Sequence, residues 1–145
     1  MRTSSGFTLI EMLLSISLLV LMGGIAIPIY YSFQVRNDLD IVTASHAQLL
    51  RRAQALARAG GGDISWGVHL TGTNMILFKG VDFLSRDSSF DETIELPPSI
   101  TPSGLQDVIF SKFTGLPQTT GITTFTSNQL EARTSTINEK GMVNF

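Results

Sequence analysis

Glu11 is the only formal charge between Phe7 and Phe33, and it stands five residues past Gly6 at the head of an apolar run. A carboxylate in hydrocarbon costs roughly 2.5 to 3.5 kcal/mol on insertion scales, so a residue of this kind ordinarily has a partner. The chemistry it suggests is charge pairing, because a cation brought to it in low dielectric is strongly attracted while either charge alone is unfavourable. The other candidates point to less. His69 alternates with Trp66, Val68 and Leu70, which places it on the opposite, exposed face of an expected strand. His46 falls on an apolar helical stripe. There, a histidine satisfied at the edge of a helix–sheet interface is expected rather than a ligand, since the chain offers no H-x-x-x-H or clustered His/carboxylate pattern. Asp87, Asp91, Glu92 and Glu95 in "SRDSSFDETIE" are expected to lie in a solvated acidic loop, because "DSSFDE" lacks the glycine and spacing of a calcium loop. With no G-x-S-x-G elbow and no triad pattern, no catalytic residue, metal site or cofactor is expected, and the chain does not read as an enzyme.

The elements that must position Glu11 follow from the distribution of apolar residues. A chain of 145 residues suits one modest domain plus an anchor, and it contains no internal repeat. Its 12 acidic and 10 basic residues nearly balance, and no basic cluster exceeds Arg51-Arg52, so nucleic-acid binding has little electrostatic support. The absence of cysteine removes disulfides, thiolate zinc sites and cysteine nucleophiles. Met12 to Tyr31 is close to unbroken apolar sequence apart from Ser15, Ser17, Gly23, Gly24 and Pro28, which is the length of about 20 residues needed to cross ~30 Å of hydrocarbon. A secretory signal carries its small-residue cleavage pattern after such a run. Here the small residues "SSG" precede it, behind a short leader with Arg2, so a cut there would leave the apolar segment attached.

Beyond the run, Leu39, Val42, His46, Leu49, Ala53 and Leu56 recur at spacings of three and four, one stripe of a helix that "GGGD" at 60–63 stops. One helix from about Phe7 to Ala59 is expected, its first half in lipid and its second half lining a domain. Ile64, Trp66, Val68 and Leu70 then alternate with polar or small residues, and "MILFKG", "ETIEL", "DVIFSKF", "GITTFT", "LEARTSTI" and "GMVNF" follow as strand candidates between turn signals. The expected class is α+β, a long N-terminal helix with an antiparallel sheet packed on its second half.

The stretch "GFTLIEMLLSISLLVLM", Gly6 to Met22, resembles the prepilin signal shared by type IV pilins and type II secretion pseudopilins. The resemblance implies a pilin-like fold, cleavage by prepilin peptidase between Gly6 and Phe7, and N-methylation of the new Phe7 amine. That amine is a cation one helical turn from Glu11, so the carboxylate would pair with the Phe7 amine of its own or a neighbouring subunit and set the assembly register. Tip pseudopilins of the family often lack this glutamate. Gly23, Gly24 and Pro28 weaken the helix, glycine by ~1 kcal/mol against alanine and proline by a lost hydrogen bond and a clash. Pro28 lies where pilin helices commonly carry a proline, so a stretch from Gly23 to Pro28 that extends on leaving the bilayer is one expectation and a mere kink the other.

The remainder resembles, more loosely, the H-type minor pseudopilins and the fimbrial assembly proteins grouped with them, through "WGVHL" at 66–70, "ILFKG" at 76–80, "ELPPSI" at 95–100, "IFSKFTG" at 109–115 and "INEKGMVNF" at 137–145. The expected organisation is a leader at 1–6, a transmembrane and assembly half-helix at 7–33, a domain-packed half-helix at 34–59 and a β-rich globular domain at 60–145. By resemblance the protein is a minor pilin or pseudopilin that initiates or primes a type II secretion pseudopilus or a type IV pilus. It would sit in the inner membrane as a single-pass protein, N-terminus inside and domain outside. Its partners would be prepilin peptidase, other pilins or pseudopilins, the inner-membrane assembly platform and membrane lipid, with no nucleic acid. The alternative is a membrane-tethered binding module or enzyme that uses a pilin-like anchor only for display.

Overall fold

The computed structural model describes residues 6–60 and 63–145, the side chains of 25–29 excepted. The leader residues 1–5, with Arg2, lie outside the described set. The chain divides into two compact units, Met1–Gln34 and Val35–Phe145. One helix, α1 (Leu9–Arg58), is followed by eight strands, β1 (Trp66–Leu70), β2 (Asn74–Lys79), β3 (Asp87–Glu95), β4 (Ile100–Gly104), β5 (Asp107–Phe110), β6 (Gly121–Ser127), β7 (Ala132–Ile137) and β8 (Val143–Asn144). The class is α+β and pilin-like, a long N-terminal helix followed by antiparallel sheet.

In the first unit the described side chains of α1 are exposed on every side, from Leu9 to Met22. Thr8 and Glu11 begin the helix. Ser15 and Ser17, the two hydroxyls of the apolar run, donate to the carbonyls of Glu11 and Leu13 at 2.8 Å each, so neither needs an external acceptor.

In the second unit the single expected sheet is two. One has the order β3-β2-β1-β5 and the other β4-β6-β7-β8, every pairing antiparallel. Both contribute to one core with the helix: Leu39, Val42, Leu50 and Ala53 pack with Val68, Met75, Leu77 and Phe110 from the first sheet and Ile100, Phe125 and Ile137 from the second. Two sheets explain why the buried helical face is broader than one stripe, taking in Val35, Thr43, Ala47 and Ala57 as well. Gly60, at φ +66°, ends the helix in the left-handed conformation that glycine adopts without strain.

Three expectations need correction. The expected acidic loop at 87–95 is strand β3, paired to β2 from Asn74↔Glu95 to Lys79↔Asp87, so the strand expected from Glu92 starts five residues earlier. Its polar sequence suits a strand at the edge of its sheet, with no second strand paired to it among the described residues. Strand β4 was not expected because Pro102 interrupts it. Proline is tolerated there since β4 is the edge of its sheet, paired to β6 alone. His69 is not an exposed strand residue, as described below.

Gly67 has a packing reason to be glycine. The ring of Phe78, fully buried, lies over it, and a Cβ at position 67 would meet that ring at 2.6 Å and the Val108 carbonyl oxygen at 2.9 Å. Gly67→Ala is therefore expected to destabilise the domain by about 1–3 kcal/mol through overpacking, read as a lower denaturant midpoint at unchanged slope.

Candidate assembly site at the helix N-terminus

Gly6 and Phe7 precede α1 in irregular, exposed backbone, where a peptide bond is open to a protease. Thr8 and Glu11 bracket the first turn in the pattern T-x-x-E. The Glu11 N–H donates to Thr8 Oγ1 at 3.3 Å, and the Thr8 N–H donates back to Glu11 Oε2 at 3.5 Å. This reciprocal arrangement is a capping box, which satisfies two of the four N–H groups a helix start leaves unpaired. The signal was legible in "TLIE", and the pairing argument alone missed it. Its consequence is positional: the cap folds the carboxylate back toward the start of the helix, onto the Thr8 N–H, and there the positive end of the helix dipole also favours a negative charge.

Around this turn the apolar side chains are bare. Phe7 and Leu9 are 80% and 82% exposed, and Ile10, Leu13, Leu14, Leu18 and Leu21 follow suit. A helix apolar on all sides requires an apolar environment of lipid or other helices. Among the described residues no helix is long and apolar enough to cross a membrane. The expected span of 7–33 includes residues 25–29, whose side chains are outside the description. Tyr30, Tyr31 and Phe33, all exposed, close this segment with the aromatic residues that favour a membrane–water interface. The helix runs unbroken through Gly23 and Gly24, which have nothing within 4 Å of a Cβ position, and the side chain of Pro28 lies outside the described residues.

Two histidines complete the search for chemistry. His69 Nδ1 lies 2.6 Å from Asp107 Oδ1, and its ring stacks on Phe83 at 3.7 Å between centroids. The Arg86 guanidinium covers the other side of Phe83 at 3.8 Å and donates to Asp91 Oδ2 at 2.8 Å. The stack of His69, Phe83 and Arg86 fastens the turn 80–86 over the outer face of the first sheet. His69 pairs with a residue 38 positions away, which strand alternation cannot reveal. His46 is 1% exposed, packs edge-on to Phe125 at 5.3 Å and has no hydrogen-bond partner for either ring nitrogen among the described residues. Burial pushes its pKa down to about 4, so it is neutral near pH 7. Among the described residues no group of three or more His, Cys, Asp or Glu side chains could hold a metal ion.

Residues 1–27 match the family model described as the prokaryotic N-terminal methylation motif. No curated protein and no solved structure matches the chain. The class supported by fold and motif together is that of the type IV pilins and pseudopilins. The motif implies processing by prepilin peptidase and assembly with pilins, and it is consistent with a membrane-anchored protein.

Proposed function

We propose that the protein is a minor pilin or pseudopilin of the H type, made with its N-terminus inside the cytoplasmic membrane and its β-rich domain outside. It is cut after Gly6, methylated on Phe7, and added through α1 to a filament of homologous subunits that it initiates or primes. The observation that carries this reading is the match at residues 1–27 together with a Thr8–Glu11 cap that holds the only charge of the apolar segment on the Thr8 N–H, next in sequence to Phe7. Its role is structural rather than enzymatic, and its partners are prepilin peptidase, the other subunits, the inner-membrane assembly platform and lipid.

The reading supports a type II secretion pseudopilus or a type IV pilus equally. An epitope-tagged chain in cells that elaborate such a filament is expected in the sheared filament fraction at a small fraction of the major subunit's amount. Retention of all the tagged protein in the membrane would favour the tethered-module alternative.

A further inference from the structure

Within the second unit, the first residues of α1 are fastened to one hairpin. Arg36 donates through Nε and Nη2 to Glu131 Oε1 at 2.9 and 2.8 Å, and Arg133 donates to Asp40 Oδ1 at 2.9 Å. Glu131 closes the turn between β6 and β7, and Arg133 follows it in β7. The last turns of the helix are fastened elsewhere, Arg51 to the Val143 carbonyl and Arg58 to the Thr114 carbonyl. The β6–β7 turn therefore marks the end of the domain at which the chain comes in.

This turn is a fixed projection. The buried Ser127 accepts the Leu130 N–H at its carbonyl at 3.0 Å, donates its own N–H to the Glu131 carbonyl at 2.8 Å and accepts the Glu131 N–H at its hydroxyl at 3.2 Å. The Asn128 N–H donates to the Ser99 carbonyl at 2.9 Å, which ties the turn to the segment ahead of β4. At the tip stands Leu130, 89% exposed and at φ +63°. A single exposed leucine is ordinary on a protein surface. The left-handed backbone is not, because it suits glycine or asparagine and is unfavourable for leucine.

Chain connectivity says what this tip can reach. Arg36 follows Phe33 by three residues, a length of chain that spans at most ~11 Å. Exposed Tyr30, Tyr31 and Phe33 are the residues suited to a membrane–water interface, and Arg36 holds Glu131 of the turn. The two ion pairs neutralise Arg36, Asp40, Glu131 and Arg133, and the remaining charged residue of α1 between 36 and 40 is Asp38. This end of the domain thus has no excess of cations to draw it to anionic headgroups, and its apolar feature is Leu130.

We propose that the β6–β7 turn is a lipid-contacting point of the domain: in the membrane-held subunit, before assembly, Leu130 enters the boundary between headgroups and acyl chains and fixes how the domain stands on the bilayer. The contact is apolar and independent of lipid charge. One leucine suffices because the apolar segment already holds the domain at the surface, which makes this second contact intramolecular. A rigid turn adds to the effect, since little conformational freedom is lost when it engages. The inference rests on the membrane placement contained in the pilin reading.

The chain has no cysteine, so single labels are unambiguous. Full-length Gln129→Cys beside the tip, Glu139→Cys on the β7–β8 turn and Leu13→Cys in α1 each receive a small fluorophore. Each is reconstituted at less than one chain per vesicle, which excludes contact between copies, in phosphatidylcholine bearing a nitroxide high on its acyl chains. The label at 129 is expected to be quenched roughly threefold more than the label at 139, with or without added phosphatidylglycerol. Leu130→Asn, which suits the left-handed backbone, should bring quenching at 129 down to the level at 139 and leave the denaturant midpoint in detergent unchanged or higher, so a lost contact is not mistaken for misfolding. Equal quenching at 129 and 139, quenching at 129 that survives Leu130→Asn, or quenching that needs phosphatidylglycerol overturns the proposal. The label at 13 separates the two readings. Quenching at 13 without quenching at 129 leaves the membrane anchor intact while the turn contact fails, and no quenching at 13 removes both.

Discussion

Glu11→Leu is expected to insert into the membrane at least as well as the parent chain and to be lost from the proposed filament. Removing a carboxylate from the apolar segment relieves a penalty of roughly 2.5–3.5 kcal/mol, so insertion cannot suffer. Assembly is expected to suffer because, on the proposed processing, the methylated Phe7 amine of the incoming or receiving subunit is left without its counter-charge. Breaking a buried ion pair from one side costs about 3–5 kcal/mol, and the lower figure already means a loss of incorporation on the order of 100-fold.

The capping box adds a control that separates charge from helix geometry. Glutamine can serve as the third residue of such a box, so Glu11→Gln keeps the Thr8 cap while removing the charge. It is expected to fail in assembly nearly as completely as Glu11→Leu. Thr8→Ala, which keeps the charge and loosens the cap, is expected to lose about 1 kcal/mol of helix-start stability, and incorporation falls severalfold. Quantifying each variant in membrane and sheared-filament fractions checks the series, and normal incorporation of Glu11→Gln would mean that the cap alone matters.

Acid is expected to weaken the domain through His46. The pKa of this side chain is lowered by burial from 6.5 to about 4, so the unfolded chain takes up a proton that the folded chain resists. Its contribution to stability is therefore complete above pH 6.5 and is lost progressively as pH falls toward 4. At ~1.4 kcal/mol per pH unit the total is about 3 kcal/mol, a large share of a small domain's stability.

The geometry explains why no group offsets the charge. His46 lies against Phe125 of β6, and neither of its ring nitrogens has a hydrogen-bond partner among the described residues. The charged residues of this interface, Arg36 with Glu131 and Asp40 with Arg133, are paired with one another at its rim. Denaturant unfolding of the full chain in detergent at pH 7 and pH 4.5 is expected to show most of this loss, and His46→Leu to remove it. That variant should be no less stable at pH 7, because an unpartnered buried polar group is replaced by an apolar one. An unchanged pH slope in His46→Leu would assign the acid sensitivity to the rim carboxylates instead.

What could be read from the sequence divides along physical lines. Local signals were sufficient for the helix, expected over Phe7 to Ala59 and observed over Leu9–Arg58, because apolar periodicity and a glycine stop are properties of adjacent residues. The strands at 66–70, 74–79 and 107–110 announced themselves in the same way. Strand β3 was legible only in its second half, as "ETIEL", because an edge strand needs no apolar alternation to hold its place, and β4 was not legible, because Pro102 masks a strand that only its edge position permits. The division into two sheets and the His69–Asp107 contact depend on which distant segments meet, information that periodicity does not carry. At the candidate assembly site the residue types and spacing from Gly6 to Glu11 were all visible. The capping geometry was visible too, in Thr8, but emerges only when the carboxylate is asked for a local partner as well as a remote one.

The central claim is that Glu11 stands where it does to meet an amine created at Phe7. Intact-mass and N-terminal analysis of the protein from cells with and without prepilin peptidase tests it most directly. The account predicts a mature chain beginning at Phe7 with one added methyl group, present only when the peptidase is. A chain that still carries residues 1–6 in peptidase-positive cells would contradict it, leaving Glu11 as a helix cap and the apolar segment as a tether.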